Sequence, residues 1–193
     1  MVWARQLAEL GYSTIAVDMY GNGKVAQHPD DAKAFMQVAF AESDKMNDRF
    51  NAAKTLLSDL DSVDAKNVYA IGYCFGGGVV LDQARQGNDL AGVASFHGML
   101  GTDALAKKGA VKARILVVTG AADPYGPTEQ VVAFVQEMTN AEAEFELMSF
   151  PDVLHSFTDT GATEKGRKFG MPAAYDENAD QAGWAALLRM LRQ

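Results

Sequence analysis

Cysteine 74 is the only cysteine in the chain, and it lies on a turn flanked by glycines: Gly72-Tyr73-Cys74-Phe75-Gly76-Gly77. The residues before it, 66–71, read as a short buried strand. Those after it, 78–84, read as the first turns of a helix. A strand–turn–helix of the form G-x-Nuc-x-G bends the backbone sharply and holds its central side chain outward. The start of a helix also suits an anionic nucleophile, because the local dipole is positive there. Two other readings of the turn stay open. A free cysteine is often simply buried, and Gly-rich strand–helix turns also cradle phosphates. Neither G-x-G-x-x-G nor Gly-Lys-Ser/Thr is present to support the phosphate reading.

A thiol nucleophile needs a base, and the base needs a group to orient it. Three histidines are available. His28 sits in a loop beside Pro29 and reads as solvated. His97 ends a strand in Ser95-Phe96-His97-Gly98, and His155 follows the last strand in Pro151-Asp152-Val153-Leu154-His155-Ser156-Phe157. Chain order in enzymes with such a turn runs nucleophile, acid, histidine, which favours His155 as base over His97 and leaves His97 to line a pocket or to sit hydrogen-bonded under a loop. The acid should follow a strand between the two. Asp123, in Thr119-Gly120-Ala121-Ala122-Asp123-Pro124, does so, although Asp-Pro is also an ordinary turn. Asp103 precedes a strand, and Asp152 and Asp159 share the loop of the histidine. The oxyanion of an attacked carbonyl would be held by backbone N–H groups, the first being that of Phe75.

The elements that must position these groups alternate between helix and short strand. Residues 2–10 read as a helix stopped by Gly11, and 13–17 as a buried strand ending at Asp18. A loop with Gly21, Gly23 and Pro29 leads to helices near 30–41 and 43–60. Met46, Phe50, Ala53, Leu57 and Leu60 recur at helical spacing on the second. Strands follow at 92–96, 114–119 and 144–149. Pro127 opens a helix with Val131, Phe134, Val135 and Met138 on one face. A polar loop is expected from 156 to 174. The last helix carries Trp184, Leu187, Leu188 and Leu191. Strands joined by helical crossovers imply an α/β fold with a mostly parallel sheet covered on both faces. Ligands of such sheets sit at the carboxyl ends of the strands, which singles out Asp18, Cys74, His97, Asp123 and His155.

A chain of 193 residues with 48 % apolar and 22 % charged residues fits one globular domain, expected over 1–193. Lys+Arg of 17 against Asp+Glu of 25 gives a net charge of −8, which argues against nucleic acid or an anionic membrane as partner. One cysteine excludes an intramolecular disulfide, and no Cys/His cluster has zinc spacing. No metal and no cofactor is therefore expected. The near-apolar run from Ile71 to Leu81 is too short to span a membrane. The first residues read as a helix rather than a signal peptide, and a cytoplasmic location is the expectation.

With these residues in place the chain resembles the dienelactone hydrolase family of α/β-hydrolases along nearly its whole length. Val17-Asp18-Met19-Tyr20-Gly21 resembles the family's Asp-Leu-Tyr-Gly strand end, and Gly72–Gly77 its Gly-Tyr-Cys-x-Gly-Gly turn. Ser95–Gly98, Gly120–Pro124, His155-Ser156-Phe157, and Ala174-Tyr175-Asp176 with Ala179 and Trp184 match later blocks in order. The resemblance implies a Cys74–Asp123–His155 triad, a thioester intermediate and a small ester or lactone substrate. Tyr20, His97, Tyr125 and Phe157 are candidates for the pocket, each of which could equally be packing.

Three departures stand out. Asn22 and Asp159 occupy positions where the family carries arginines that grip a substrate carboxylate, so a neutral activated ester or lactone is expected. An activated phosphoester is a conceivable side substrate. Strands ahead of the first helix, with a second oxyanion donor and a thiol-contacting glutamate, have no counterpart. The sequence is therefore expected to be a fragment completed by a preceding segment. Pairing of 13–17 directly with 67–71 would refute that. Three rivals are weighed. A glutamine amidotransferase would show His-x-Glu, but Ser156-Phe157 follows His155. A redox protein would need a resolving cysteine. A non-catalytic small-ligand-binding member of the same fold is the principal alternative.

Overall fold

Four apolar segments build one all-parallel sheet: β1 (Tyr69–Tyr73), β2 (Gly92–Phe96), β3 (Arg114–Gly120) and β4 (Phe145–Phe150), ordered as they occur in the chain. The register sets Tyr73 beside Phe96, Phe96 beside Val118 and Val118 beside Met148. The central strands are buried along almost their whole length, as strands covered on both faces must be. β1 and β4 are partly exposed at the edges.

The computed structural model describes residues 2–192, which divide into two compact units meeting at Val68 and Tyr69. The second holds the sheet with α4 (Phe75–Arg85), α5 (Thr128–Asn140), α6 (Ala162–Phe169) and α7 (Glu177–Leu191); the first holds α1 (Val2–Glu9), α2 (Pro29–Ala41) and α3 (Ser43–Ser58). Side chains alternate across each strand. Ala94 and Phe96 of β2, with Leu116 and Val118 of β3, therefore pack against Ala179, Ala186, Leu187 and Met190 of α7. Ser95, on the opposite face of β2, meets the start of α4. On that side Arg85 of α4 is locked to Glu137 of α5 by a bidentate pair at 2.9 and 3.0 Å. Leu187 and Phe134 are core residues, as their helical spacing predicts, but the buried face of α5 runs through Phe134, Glu137 and Met138, and Val135 lies off it, exposed.

In the first unit, His28 caps α2 by accepting the N–H of Asp30 at 3.2 Å, and Pro29 opens the helix. Met46 and Phe50 of α3 are buried, whereas Leu60 lies beyond the helix and is exposed. Asp18 takes the N–H groups of Gly21 and Gly23, each at 2.8 Å, and so closes a turn. Arg49 donates to the carbonyl of Met19 at 2.8 Å.

Two expectations are corrected. Residues 13–17 have no regular secondary structure and belong to no ladder among the described residues, and Ile15 and Val17 are each at least a third exposed. An apolar, β-branched segment becomes a strand only when a neighbour takes its N–H and C=O groups. The second correction is α6, which occupies the middle of the expected polar loop. Its buried positions, Ala162 and Gly166, recur at helical spacing but are too small to mark an apolar stripe among so many charged neighbours. Glu164 in its first turn, Arg167 and Lys168 in its last, and left-handed Gly170 (φ 63°) just after it are the helix signals that were there to read.

Candidate active site

The parallel sheet brings the candidate residues to the carboxyl ends of its strands. Cys74 directly follows β1, His97 directly follows β2, Asp123 lies three residues past β3, and His155 lies five past β4. Cys74 sits between β1 and α4 with φ 53° and ψ −119°, a backbone region costly for any residue with a Cβ. Its side chain is exposed, which disposes of the buried structural reading.

The sharp turn depends on close backbone approach. A Cβ at Gly72 would strike the carbonyl of Gly76. One at Gly77 would lie 2.6 Å from Ser95 Oγ and 2.8 Å from the Cα of Gly98. Gly76, the second glycine of the G-x-C-x-G pattern, faces open space. The residue that must be small after the cysteine is thus Gly77, where α4 lies against the strand end of β2.

Cys74 Sγ is 3.2 Å from Nε2 of His155, and Nδ1 of His155 is 2.7 Å from Oδ2 of Asp123. Asp123 and His155 are both buried. The other carboxylate oxygen, Oδ1, accepts the N–H of Tyr125 at 2.8 Å, so the acid is held from two sides. Burial alone would push the His155 imidazolium down. Hydrogen bonds to Asp123 and to Cys74, with their charges, outweigh it and raise His155 to about 9.

The remaining sequence candidates divide. Phe75 opens α4 immediately after Cys74. Tyr125 is half exposed, with its ring edge-on to His155 at 5.0 Å. Phe157 is wholly buried in the core and edge-on to His97 at 5.1 Å, the environment of a packing residue. Tyr20 belongs to the first unit, where its ring meets Phe35 at 5.5 Å. His97 is 5 % exposed and touches both sides of the cysteine–histidine pair. Thr158, unremarked in the sequence, bonds His97 Nε2 at 2.9 Å; its position beside Phe157 carries no signal of that contact.

A parallel sheet with a cysteine-bearing strand–turn–helix and a histidine and acid past its later strands defines an α/β-hydrolase. A family model for the dienelactone hydrolase family matches residues 2–193, and the chain belongs to that family of hydrolases. An uncharacterised protein of Caenorhabditis elegans is 32 % identical over 154 residues, covering 77 % of this chain and 94 % of its own. Among solved structures, a dienelactone hydrolase-like promiscuous phosphotriesterase from metagenomic libraries superposes with a TM-score of 0.89. It is 30 % identical, over 99 % of this chain and 78 % of its own. A Bacillus cereus carboxylesterase, 18 % identical, shares the fold with a TM-score of 0.51 over 64 % of this chain and 57 % of its own.

Proposed function

We propose that the protein hydrolyses carboxylic esters or lactones through Cys74, with His155 as base and Asp123 as the acid that orients it. The observation that carries this reading is the unbroken run from Sγ through the His155 ring to the Asp123 carboxylate, with contacts of 3.2 and 2.7 Å. His155 takes the thiol proton, for which its raised affinity suits it, and Sγ attacks the carbonyl carbon. The oxyanion is received by the N–H of Phe75. Collapse breaks the C–O bond, and the leaving oxygen takes the proton from His155. Water then gives a proton to His155 and its oxygen to the thioester carbon, releasing the acid and restoring the thiol.

A neutral, activated ester or lactone is the preferred substrate class. The overall charge is −8, and Asp159 remains a carboxylate: burial raises its pKa, but Lys165 and the N–H of Gly161 lower it further. The two positions where the family's carboxylate-gripping arginines would stand, Asn22 and Asp159, carry no guanidinium for an anionic substrate. The phosphotriesterase described among the relatives supports a side activity on activated phosphotriesters, whose phosphoryl oxygen can use the same N–H donor. A free thiol nucleophile suits a reducing compartment such as the cytoplasm.

The test is the time course of p-nitrophenyl butyrate hydrolysis by the chain and by Cys74→Ala. Turnover that disappears with the thiol, preceded in the parent by a burst of nitrophenolate, supports the acyl-enzyme route. Equal rates in both would remove Cys74 as nucleophile and move the weight to the ligand-binding alternative.

A further inference from the structure

His97 carries a hydrogen-bond pattern that fixes its chemical state. Its Nδ1 accepts the backbone N–H of Cys74 at 3.2 Å, a proton that the carbonyl of Phe96 shares at 3.0 Å. A backbone N–H can only donate, so Nδ1 must be unprotonated, and the ring proton lies on Nε2, facing Thr158 Oγ1 at 2.9 Å. The backbone of His97 is left-handed (φ 40°) and anchored by its own N–H to the carbonyl of Val118 at 2.8 Å. The ring stands edge-on to His155, with centroids 4.9 Å apart, and is backed by Phe157. One buried imidazole therefore touches the amide of the thiol residue and the ring of the base.

We propose that His97 is a positioning residue that sets the separation of Cys74 and His155, acting as a neutral hydrogen-bond acceptor held in one tautomer by Thr158. This deepens the hydrolase reading and rests on it. Protonation at Nδ1 would turn an N–H against the Cys74 N–H and bring a second cation beside His155. The surroundings oppose that state. Burial is the largest cause, with the charge of His155 adding to it against weaker help from Asp123 and Asp159, and His97 is lowered to about 3. A ring so constrained cannot serve as a second base; it fixes the geometry in which the first one works.

Three variants of the full chain test this: His97→Asn, His97→Gln and Thr158→Val. Asn places an acceptor near the site of Nδ1. Gln reaches toward Thr158 but leaves the Cys74 amide. Thr158→Val leaves residue 97 intact and removes the partner of Nε2. The first readout is the NMR titration of the His155 ring, which needs no substrate; only three histidines are present, so assignment is direct. In the parent His155 should titrate near 9. In His97→Gln and Thr158→Val it should fall below the parent value, because the lift from the Cys74 contact weakens while that from Asp123 remains. His97→Asn should stay close to the parent. The second readout is p-nitrophenyl butyrate turnover, with kcat falling about 10-fold or more in the two impaired variants at unchanged KM. Parent-like titration and turnover in both His97→Gln and Thr158→Val would overturn the proposal and leave His97 as packing. Impairment of His97→Asn equal to that of His97→Gln would overturn the acceptor role. Should one variant fail to fold by thermal melt, the remaining pair still decides. A parent that does not turn over ester would count against the hydrolase reading alone, since the His155 titration stands without it.

Discussion

Asp123 holds His155 through a 2.7 Å contact to Nδ1 while its second oxygen is tied at 2.8 Å to the N–H of Tyr125. The carboxylate cannot turn away without breaking the second bond, so His155 is kept with Nε2 toward the thiol. Asp123→Asn preserves shape but offers an NH₂ or a weaker carbonyl acceptor to Nδ1. The expected result is a loss in kcat of about 10²- to 10⁴-fold, as in hydrolases whose orienting acid is neutralised. The His155 titration should fall well below 9 in the same variant. Steady-state kinetics and NMR check the two halves independently.

The two buried histidines give opposite pH dependences of stability. His155 is raised to about 9 from 6.5, so its contribution is complete below 6.5 and is lost as pH rises through 9. His97 is lowered to about 3 from 6.5. The unfolded chain takes up that proton first, so stability falls as pH drops from 6.5 toward 3. Urea midpoints measured from about pH 4 to about pH 10 should peak near the unfolded imidazole value of about 6.5. His155→Asn should flatten the alkaline side, and His97→Asn the part of the acid side above about pH 4.

The convergence of Cys74, Asp123 and His155 was more legible in the sequence than the elements around them, and the reason is physical. Cys74 is pinned by backbone geometry that only a particular glycine pattern permits, so Gly72 and Gly77 announce it. The order of acid and histidine then follows from where strands of a parallel sheet end. Residues 13–17 have the composition of a strand without a ladder to join, and composition does not report on partners. Glu137 breaks an apolar helical face for the sake of Arg85, a pairing 52 residues away that no local pattern encodes. His97 was visible as a strand-end histidine, but its tautomer depends on Thr158, 61 residues on.

The two glycines of the turn should behave differently. Gly77→Ala forces a methyl onto Ser95 Oγ at 2.6 Å and Gly98 Cα at 2.8 Å, and neither neighbour can retreat, because Ser95 is wholly buried and Gly98 is backbone. A loss of about 1–3 kcal/mol, with displaced α4 and a fall in thiol-dependent turnover, is expected. Gly76→Ala meets nothing and adds a better helix former inside α4, so its melting temperature should match or exceed the parent. Thermal melts of the two variants make the comparison.

Arg85 and Glu137 form the sharpest stability test away from the site. Their side chains are 3 % and 4 % exposed, and the guanidinium also donates to the carbonyl of Leu100 at 2.6 Å and to Asp82 at 3.0 Å. Glu137 in turn accepts the N–H of Ala106 at 2.9 Å. The pair therefore ties α4 and α5 to the long connection between β2 and β3. Removing the carboxylate alone, as in Glu137→Leu, leaves the buried guanidinium with only Asp82 as counter-charge and should cost about 2–4 kcal/mol. Arg85→Met with Glu137→Leu removes both charges and should recover much of that loss, leaving mainly the unmet Leu100 carbonyl and Ala106 N–H. Urea unfolding of the two singles and the double gives the coupling directly. A double variant as unstable as the sum of the singles would mean that the two side chains stabilise the fold through separate contacts rather than through each other.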